Sequence, residues 1–187
     1  VARIDMSKPF NYKRFYDWLA PIYATAQGLL PMWRRYTEAA PPWLPPTGAV
    51  LEIGPGPGAL TRALLQGAGR VTAIEMDAGL LPVLEAWTAD AGALTVIRAD
   101  ALKVDFQALA DELGGPLTLV ANLPYNISTP LMFHFRRQRQ ACDSMPLMFQ
   151  REVAERLVAE PAHGKAYGAV SVLCGLWMAS ERVMDVA

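Results

Sequence analysis

The 187-residue chain is 52% hydrophobic, with a formal net charge of −1 and a pI near 6.2. That is long enough for one well-buried α/β core with an appendage, too short for two full domains, and without bulk attraction to nucleic acid, so any RNA contact must rest on a local basic face. Cys142 and Cys174 stand alone, and His134 and His163 do not complete a zinc cluster, so no metal is expected; with no charged-then-apolar leader and no run of about 18 apolar residues, a cytoplasmic protein free of membrane is expected, as a monomer.

Residues 1–48 read as a separate helical arm. Lys13 to Ala24 places Phe15, Trp18, Leu19 and Ile22 at helical spacing, Leu30 to Ala40 follows, and Pro41, Pro42, Pro45 and Pro46 end the arm. It reads as an aromatic cover over one end of a sheet, or as a lid using Tyr12, Tyr16 and Tyr23. From Ala49 to Ala187 short apolar runs alternate with helical periodicity. Strands are expected near 49–53, 70–75, 94–98, 117–121 and 145–150, with helices at 59–66, 78–89, 106–112 and 129–139 between them. Glu152–Glu160 and Tyr167–Cys174 read as further helices, and Leu176–Val186 as a last strand. This is the pattern of a doubly wound, mostly parallel sheet with helices on both faces, a Rossmann-like architecture.

The segment Val50 to Thr61, V-L-E-I-G-P-G-P-G-A-L-T, organises the rest: an apolar run stops at a glycine-rich turn and a helix begins. Gly54, Gly56 and Gly58 let a ligand come up against the backbone at the helix mouth. Gly54, Gly56 and Ala59 formally satisfy a dinucleotide fingerprint, and Glu75 ends the next apolar run where a ribose hydroxyl would be held. Pro55 and Pro57, however, lack the N–H donors a pyrophosphate wants, and Glu52 would repel phosphates while suiting a cationic ligand. S-adenosylmethionine has the matching chemistry: adenosine, ribose, a sulfonium and an α-amino group.

After the third strand, Asp100 stands at a strand's C-terminal end, where it can accept from an adenine amino group or simply cap a turn. The fourth strand delivers Asn122-Leu123-Pro124-Tyr125-Asn126. An Asn oxygen and a backbone carbonyl held open by Pro124 can accept from the –NH₂ of a flat ring and turn its lone pair toward an incoming methyl, while Tyr125 stacks on the ring. The same segment also has the residues of a strand-end turn. Methyl transfer to such an amine needs orientation rather than a nucleophile, and no Ser, Cys or His stands in a triad context.

The stretch from Val50 onward resembles the ribosomal RNA adenine N6,N6-dimethyltransferases, relatives of the erythromycin-resistance methylases. The matching residues are L-E-I-G-P-G at 51–56, T-A-I-E at 72–75, A-D-A-L at 99–102, N-L-P-Y-N-I-S-T-P-L-M-F-H at 122–134, Q-R-E-V-A-E-R-L at 150–157 and K-A-Y-G at 165–168. The resemblance implies a class I methyltransferase fold using S-adenosylmethionine on the exocyclic N6 amine of adenine in small-subunit ribosomal RNA. It implies that Gly54, Glu75, Asp100 and Asn122 contact the cofactor and that Asn122, Leu123, Pro124 and Tyr125 form a catalytic loop that also holds the target adenine; with their neighbours, the expected cofactor site is Glu52, Gly54, Gly56, Gly58, Glu75, Met76, Asp100, Ala101 and Asn122.

Two departures leave alternatives open. The family's basic opening and Gln-Asn-Phe-Leu are missing, and F-Y-D-W-L-A-P-I-Y with W-R-R-Y in residues 11–48 resembles the entry arm of quinone-type small-molecule methyltransferases instead. The family's base-closing motif and C-terminal helical domain would lie beyond Ala187, which admits a weakly catalytic cofactor- or RNA-binding remnant. Arg136, Arg137, Arg139 and Arg151, with Arg34 and Arg35, form a basic patch only if they share a face; a helix bearing such arginines can equally present a solvated side.

Overall fold

The structure is a computed structural model that describes residues 48–68, 70–85, 93–123 and 125–183. The arm expected at residues 1–48, with its helices at 13–24 and 30–40, Tyr12, Tyr16, Tyr23, Arg34 and Arg35, lies outside the described residues but for Gly48. So does the end of the helix expected at 78–89, of which residues 81–85 are helical.

Four strands fall where apolar runs place them: β1 (Ala49–Ile53), β2 (Val71–Glu75), β3 (Leu94–Arg98) and β4 (Leu117–Asn122). They pair in parallel in the order β3-β2-β1-β4. β1, β2 and β4 are buried on both faces, which is why they read as nearly continuous apolar runs, while edge strand β3 exposes Thr95 and Arg98. Helix α1 (Ala59–Ala68) packs Leu60 and Leu64 against Val50, Val71, Ala73 and Val120 on one face. Alternate residues of the same strands, Leu51, Ile53, Leu117, Leu119 and Ala121, point to the other face. There they meet Phe106 and Leu109 of α2 (Phe106–Leu113) and Leu131 and Phe135 of α3 (Tyr125–Arg137). Helices therefore cover both faces of the sheet.

The α2 ends follow local chemistry. Asp105 accepts from Ala108 N at 3.0 Å, and Gly114 takes φ 88° at the C-terminus. Gln138, just past the end of α3 on the same face, adds a contact: its Oε1 accepts from Phe106 N and Gln107 N, and its Nε2 donates to Val104 O at 3.2 Å.

Three expectations are corrected. The strand expected at 145–150 is two short pieces beside β4, β5 (Cys142–Ser144) and β6 (Leu147–Met148), because Pro146 has no N–H to give the ladder. The helix expected from 129 starts at Tyr125. Pro130 sits inside α3, where burial of Leu131, Met132 and Phe135 outweighs its missing N–H. Finally, Leu176 and Trp177 close a helix rather than open a strand: α4 (Arg151–Leu157) is followed by α5 (Ala169–Trp177), and residues 178–183 have no regular structure. Ser171 locks these two helices, its hydroxyl donating to Arg156 O at 2.6 Å and accepting from Gly168 N at 3.0 Å.

Candidate active site

The strand order reverses direction at β1, between β2 and β4, so the crevice above the C-terminal ends of β1 and β4 is where an open α/β sheet takes a ligand. Ile53 pairs with Ala121, so the next residues, Gly54 and Asn122, stand side by side at the strand ends. Ile53 also pairs with Ile74, and Glu75 with Arg98, which brings Glu75 and then Asp100 along the same edge. Ala99 N donates to Glu75 O at 3.1 Å and fixes that approach. Gly54, Glu75, Asp100 and Asn122 thus share one edge of the sheet, as their positions at strand ends predict.

Gly54, Gly56 and Gly58 have φ of 65°, 56° and 89°, the left-handed region that an L side chain enters at a cost. A Cβ at Gly54 or Gly56 would meet no atom within 4 Å, so the turn borders open space. Its N–H groups are not available to an anion. Gly54 N donates to Ile74 O and Gly58 N to Pro55 O, both at 2.9 Å, and Gly56 N donates to Glu75 Oε2 at 3.2 Å, while Pro55 and Pro57 have no N–H. No donor from Gly54 to Gly58 remains for a pyrophosphate, which counts against the dinucleotide reading. The same geometry suits a ligand without phosphates, such as the S-adenosylmethionine expected from the sequence.

Glu75 is 8% exposed, and its second oxygen accepts from Asp77 N at 2.8 Å. Its first role here is to tie the turn after β1 to the turn after β2; any ribose contact would use remaining lone pairs of the same oxygens. Asp77 in turn accepts from Gly79 N at 2.8 Å, an Asx turn that the Asp-x-Gly spacing could have signalled. Met76 is 67% exposed and provides an apolar rim. Asp100 accepts from Leu102 N at 3.0 Å and lies 3.6 Å from Lys103 Nζ, so its carboxylate caps the 3₁₀ turn that contains buried Ala101.

Glu52 departs from the sequence reading. It is 1% exposed, and neither its Oε2 nor the Thr61 hydroxyl of α1 has a hydrogen-bond partner. Burial pushes its carboxyl up to about 8, Glu75's charge adds to that, and the neighbouring Thr61 side chain works the other way. At neutral pH it is therefore mainly an uncharged acid and does not itself repel phosphates. Thr61 was not anticipated, although a polar residue beside Leu60 on the buried face of an amphipathic helix is the available signal.

Asn122 is exposed at the end of β4, and Leu123 is buried and donates its N–H to Met148 O at 3.1 Å. β6, paired beside β4, therefore anchors the loop, a support the sequence does not announce. Pro124 lies outside the described residues, and the backbone of Tyr125 opens α3. Burial holds both thiols protonated: Cys142 is raised to about 11, with Asp143's charge contributing, and Cys174 is also raised. Among the described residues no group of three His, Cys, Asp or Glu side chains is placed to hold a metal, and no helix is long and apolar enough to cross a membrane.

Residues 38–187, which include every segment that builds this edge, match the ribosomal RNA adenine dimethylase family. The chain belongs to that family. A relative from Magnetococcus marinus, a ribosomal RNA small subunit methyltransferase A, is 59% identical over 137 residues, covering 73% of this chain and 49% of its own. The crystal structure of a dimethyladenosine transferase from Plasmodium falciparum superposes with a TM-score of 0.61 at 29% identity, over 80% of this chain and 50% of that one. The 23S rRNA methyltransferase ErmE gives 0.54 at 28% identity, over 66% and 47%. The fold is that of a class I methyltransferase, and the chain spans about half the length of the curated relatives it matches.

Proposed function

We propose that this family member transfers methyl groups from S-adenosylmethionine to the N6 amine of adenine in small-subunit ribosomal RNA, with residues 49–187 as the catalytic unit and 1–48 as an accessory arm. The observation that carries the reading is the side-by-side placement of the phosphate-refusing turn at Gly54–Gly58 and the exposed Asn122 at the ends of adjacent strands. Relatives named as rRNA small subunit methyltransferases and a dimethyladenosine transferase support the choice of substrate.

The cofactor would lie against Gly54, Gly56 and Gly58, with Glu75 and Met76 toward its adenosine, Asp100 and Ala101 at the far edge, and Glu52 beneath. When bound it supplies an electrophilic methyl group. Asn122 Oδ1 accepts from the target –NH₂, and together with the carbonyl at Pro124 it turns the amine lone pair toward the methyl. The Tyr125 ring stacks on the base, and Leu123, held by Met148, fixes the loop. The proton released from nitrogen passes to solvent, so no side-chain base is required.

The test is incorporation of labelled methyl from S-adenosylmethionine into small-subunit ribosomal RNA, followed by nucleoside digestion. Label in N6-methylated adenosine is expected. Label only in quinol-type small molecules, or in another nucleoside, would overturn the reading.

A further inference from the structure

Far from the cleft, α3 ends in Arg136 and Arg137, and the 3₁₀ turn after it starts with Arg139; all three are exposed. The guanidinium carbons of Arg136 and Arg139 each lie 5.2 Å from the centroid of the Trp177 ring, at the end of α5. Trp177 is 42% exposed. α3 begins beside Asn122 and runs for 13 residues, a length of about 20 Å, so this cluster sits at the opposite end of the helix from the cleft.

Arginines in a last helical turn commonly just complement the helix dipole. Here two of them are gathered on an indole instead, and among the described residues no carboxylate pairs with Arg136, Arg137 or Arg139. Three cations crowded on a chain of net charge −1 repel one another, and an anionic partner relieves that repulsion. A guanidinium on an aromatic ring keeps its edge donors free for phosphate oxygens, while the uncovered part of the indole can take a base. Charge that is both unpaired and flanked by a stacking surface fits a polyanion carrying planar bases better than it fits a protein.

We propose that Arg136, Arg137, Arg139 and Trp177 form a second RNA-docking surface, gripping phosphates and stacking an unpaired base outside the methyl-transfer cleft. The proposal rests on the ribosomal RNA reading above. The test is binding of an in vitro transcript of small-subunit ribosomal RNA across a salt series, with S-adenosylmethionine affinity as the folding control. The Arg136→Ala/Arg139→Ala protein should lose about 0.7–0.9 per arginine from the slope of log affinity against log salt. Arg136→Lys/Arg139→Lys should keep the slope, and Trp177→Ala should weaken binding about tenfold where Trp177→Phe does not. If the alanine pair loses cofactor affinity, Arg136→Gln/Arg139→Gln is read in its place. An unchanged slope in a folded variant overturns the proposal and leaves the substrate reading standing. Variants that alter self-association while binding RNA normally also overturn it, in favour of a protein interface that includes the neighbouring exposed Leu176. A wild-type chain that neither binds nor methylates this RNA removes the substrate reading itself.

Discussion

Gly56 and Glu75, 19 residues apart, are joined over the top of the sheet by a hydrogen bond from Gly56 N to Glu75 Oε2 at 3.2 Å. With Asp77 N on its other oxygen, the Glu75 carboxylate holds two turns that border the candidate cofactor site. Glu75→Ala leaves both donors without that acceptor, at about 1–3 kcal/mol for a part-buried group. The expected result is a lower urea midpoint together with weaker S-adenosylmethionine binding by calorimetry, and Glu75→Gln should recover only part of each. Loss of binding with unchanged stability would show that Glu75 acts on the ligand and not on the turn.

Gly54 and Gly56 separate backbone strain from ligand approach. Each has φ in the left-handed region, and a Cβ at either would meet no atom within 4 Å. Gly54→Ala and Gly56→Ala should therefore destabilise the fold by only about 1–2 kcal/mol, the cost of a left-handed L residue. Cofactor affinity should fall by a larger factor, because the new methyl stands in the space beside the turn. Equal affinity in both variants, measured by calorimetry, would place the ligand elsewhere.

For Glu52 the sign of the pH dependence is fixed by burial. The unfolded chain ionises near the ordinary value of 4.5, while the native carboxyl keeps its proton up to about 8. Between those values the native state binds the extra proton, so this group's stabilising contribution, full below 4.5, declines as pH rises and is gone above about 8. Glu52→Gln keeps the shape and removes the titration. The stability difference between wild type and Glu52→Gln should therefore shift against wild type across this window, with a limiting slope of about 1.4 kcal/mol per pH unit. Denaturant melts at several pH values decide it, and parallel curves would mean that Glu52 is ionised in the native protein.

How far the sequence can be read follows from what each signal encodes. β1, β2 and β4 are legible because buried parallel strands are apolar runs bounded by glycine, proline and charge, and edge strand β3 because Leu94, Val96 and Ile97 keep a shorter apolar run. Pro130 and Pro146 act in opposite ways on the elements around them: one sits within a helix whose packing tolerates it, and the other parts β5 from β6 where the sequence reads one strand over 145–150. At the site, residue type and position at a strand end identified Gly54, Glu75, Asp100 and Asn122 as candidates. Residue type does not encode burial or hydrogen-bond saturation. The protonation of Glu52, the internal use of Glu75 and the capping role of Asp100 therefore emerge only from three-dimensional neighbours.

Asn122 is where cofactor binding and chemistry can be separated. It is exposed at the end of β4, beside Gly54, and the buried Leu123 that follows it is anchored to Met148 O at 3.1 Å. Removing the exposed amide should leave that anchor and the core intact, so the thermal midpoint of Asn122→Ala should stay close to wild type. If Oδ1 accepts from the target amine mainly as the lone pair turns toward the methyl, the interaction is made in the transition state. Turnover should then fall on the order of 10²-fold, while S-adenosylmethionine affinity changes far less. Asn122→Asp keeps an acceptor oxygen but adds charge at the edge of the site, so it should retain more activity than alanine only if acceptance, and not amide donation, is what matters. Single-turnover rates with saturating cofactor, set beside calorimetric affinities for all three proteins, give the answer. An alanine variant that methylates at the wild-type rate would reduce the Asn122 loop to a strand-end turn.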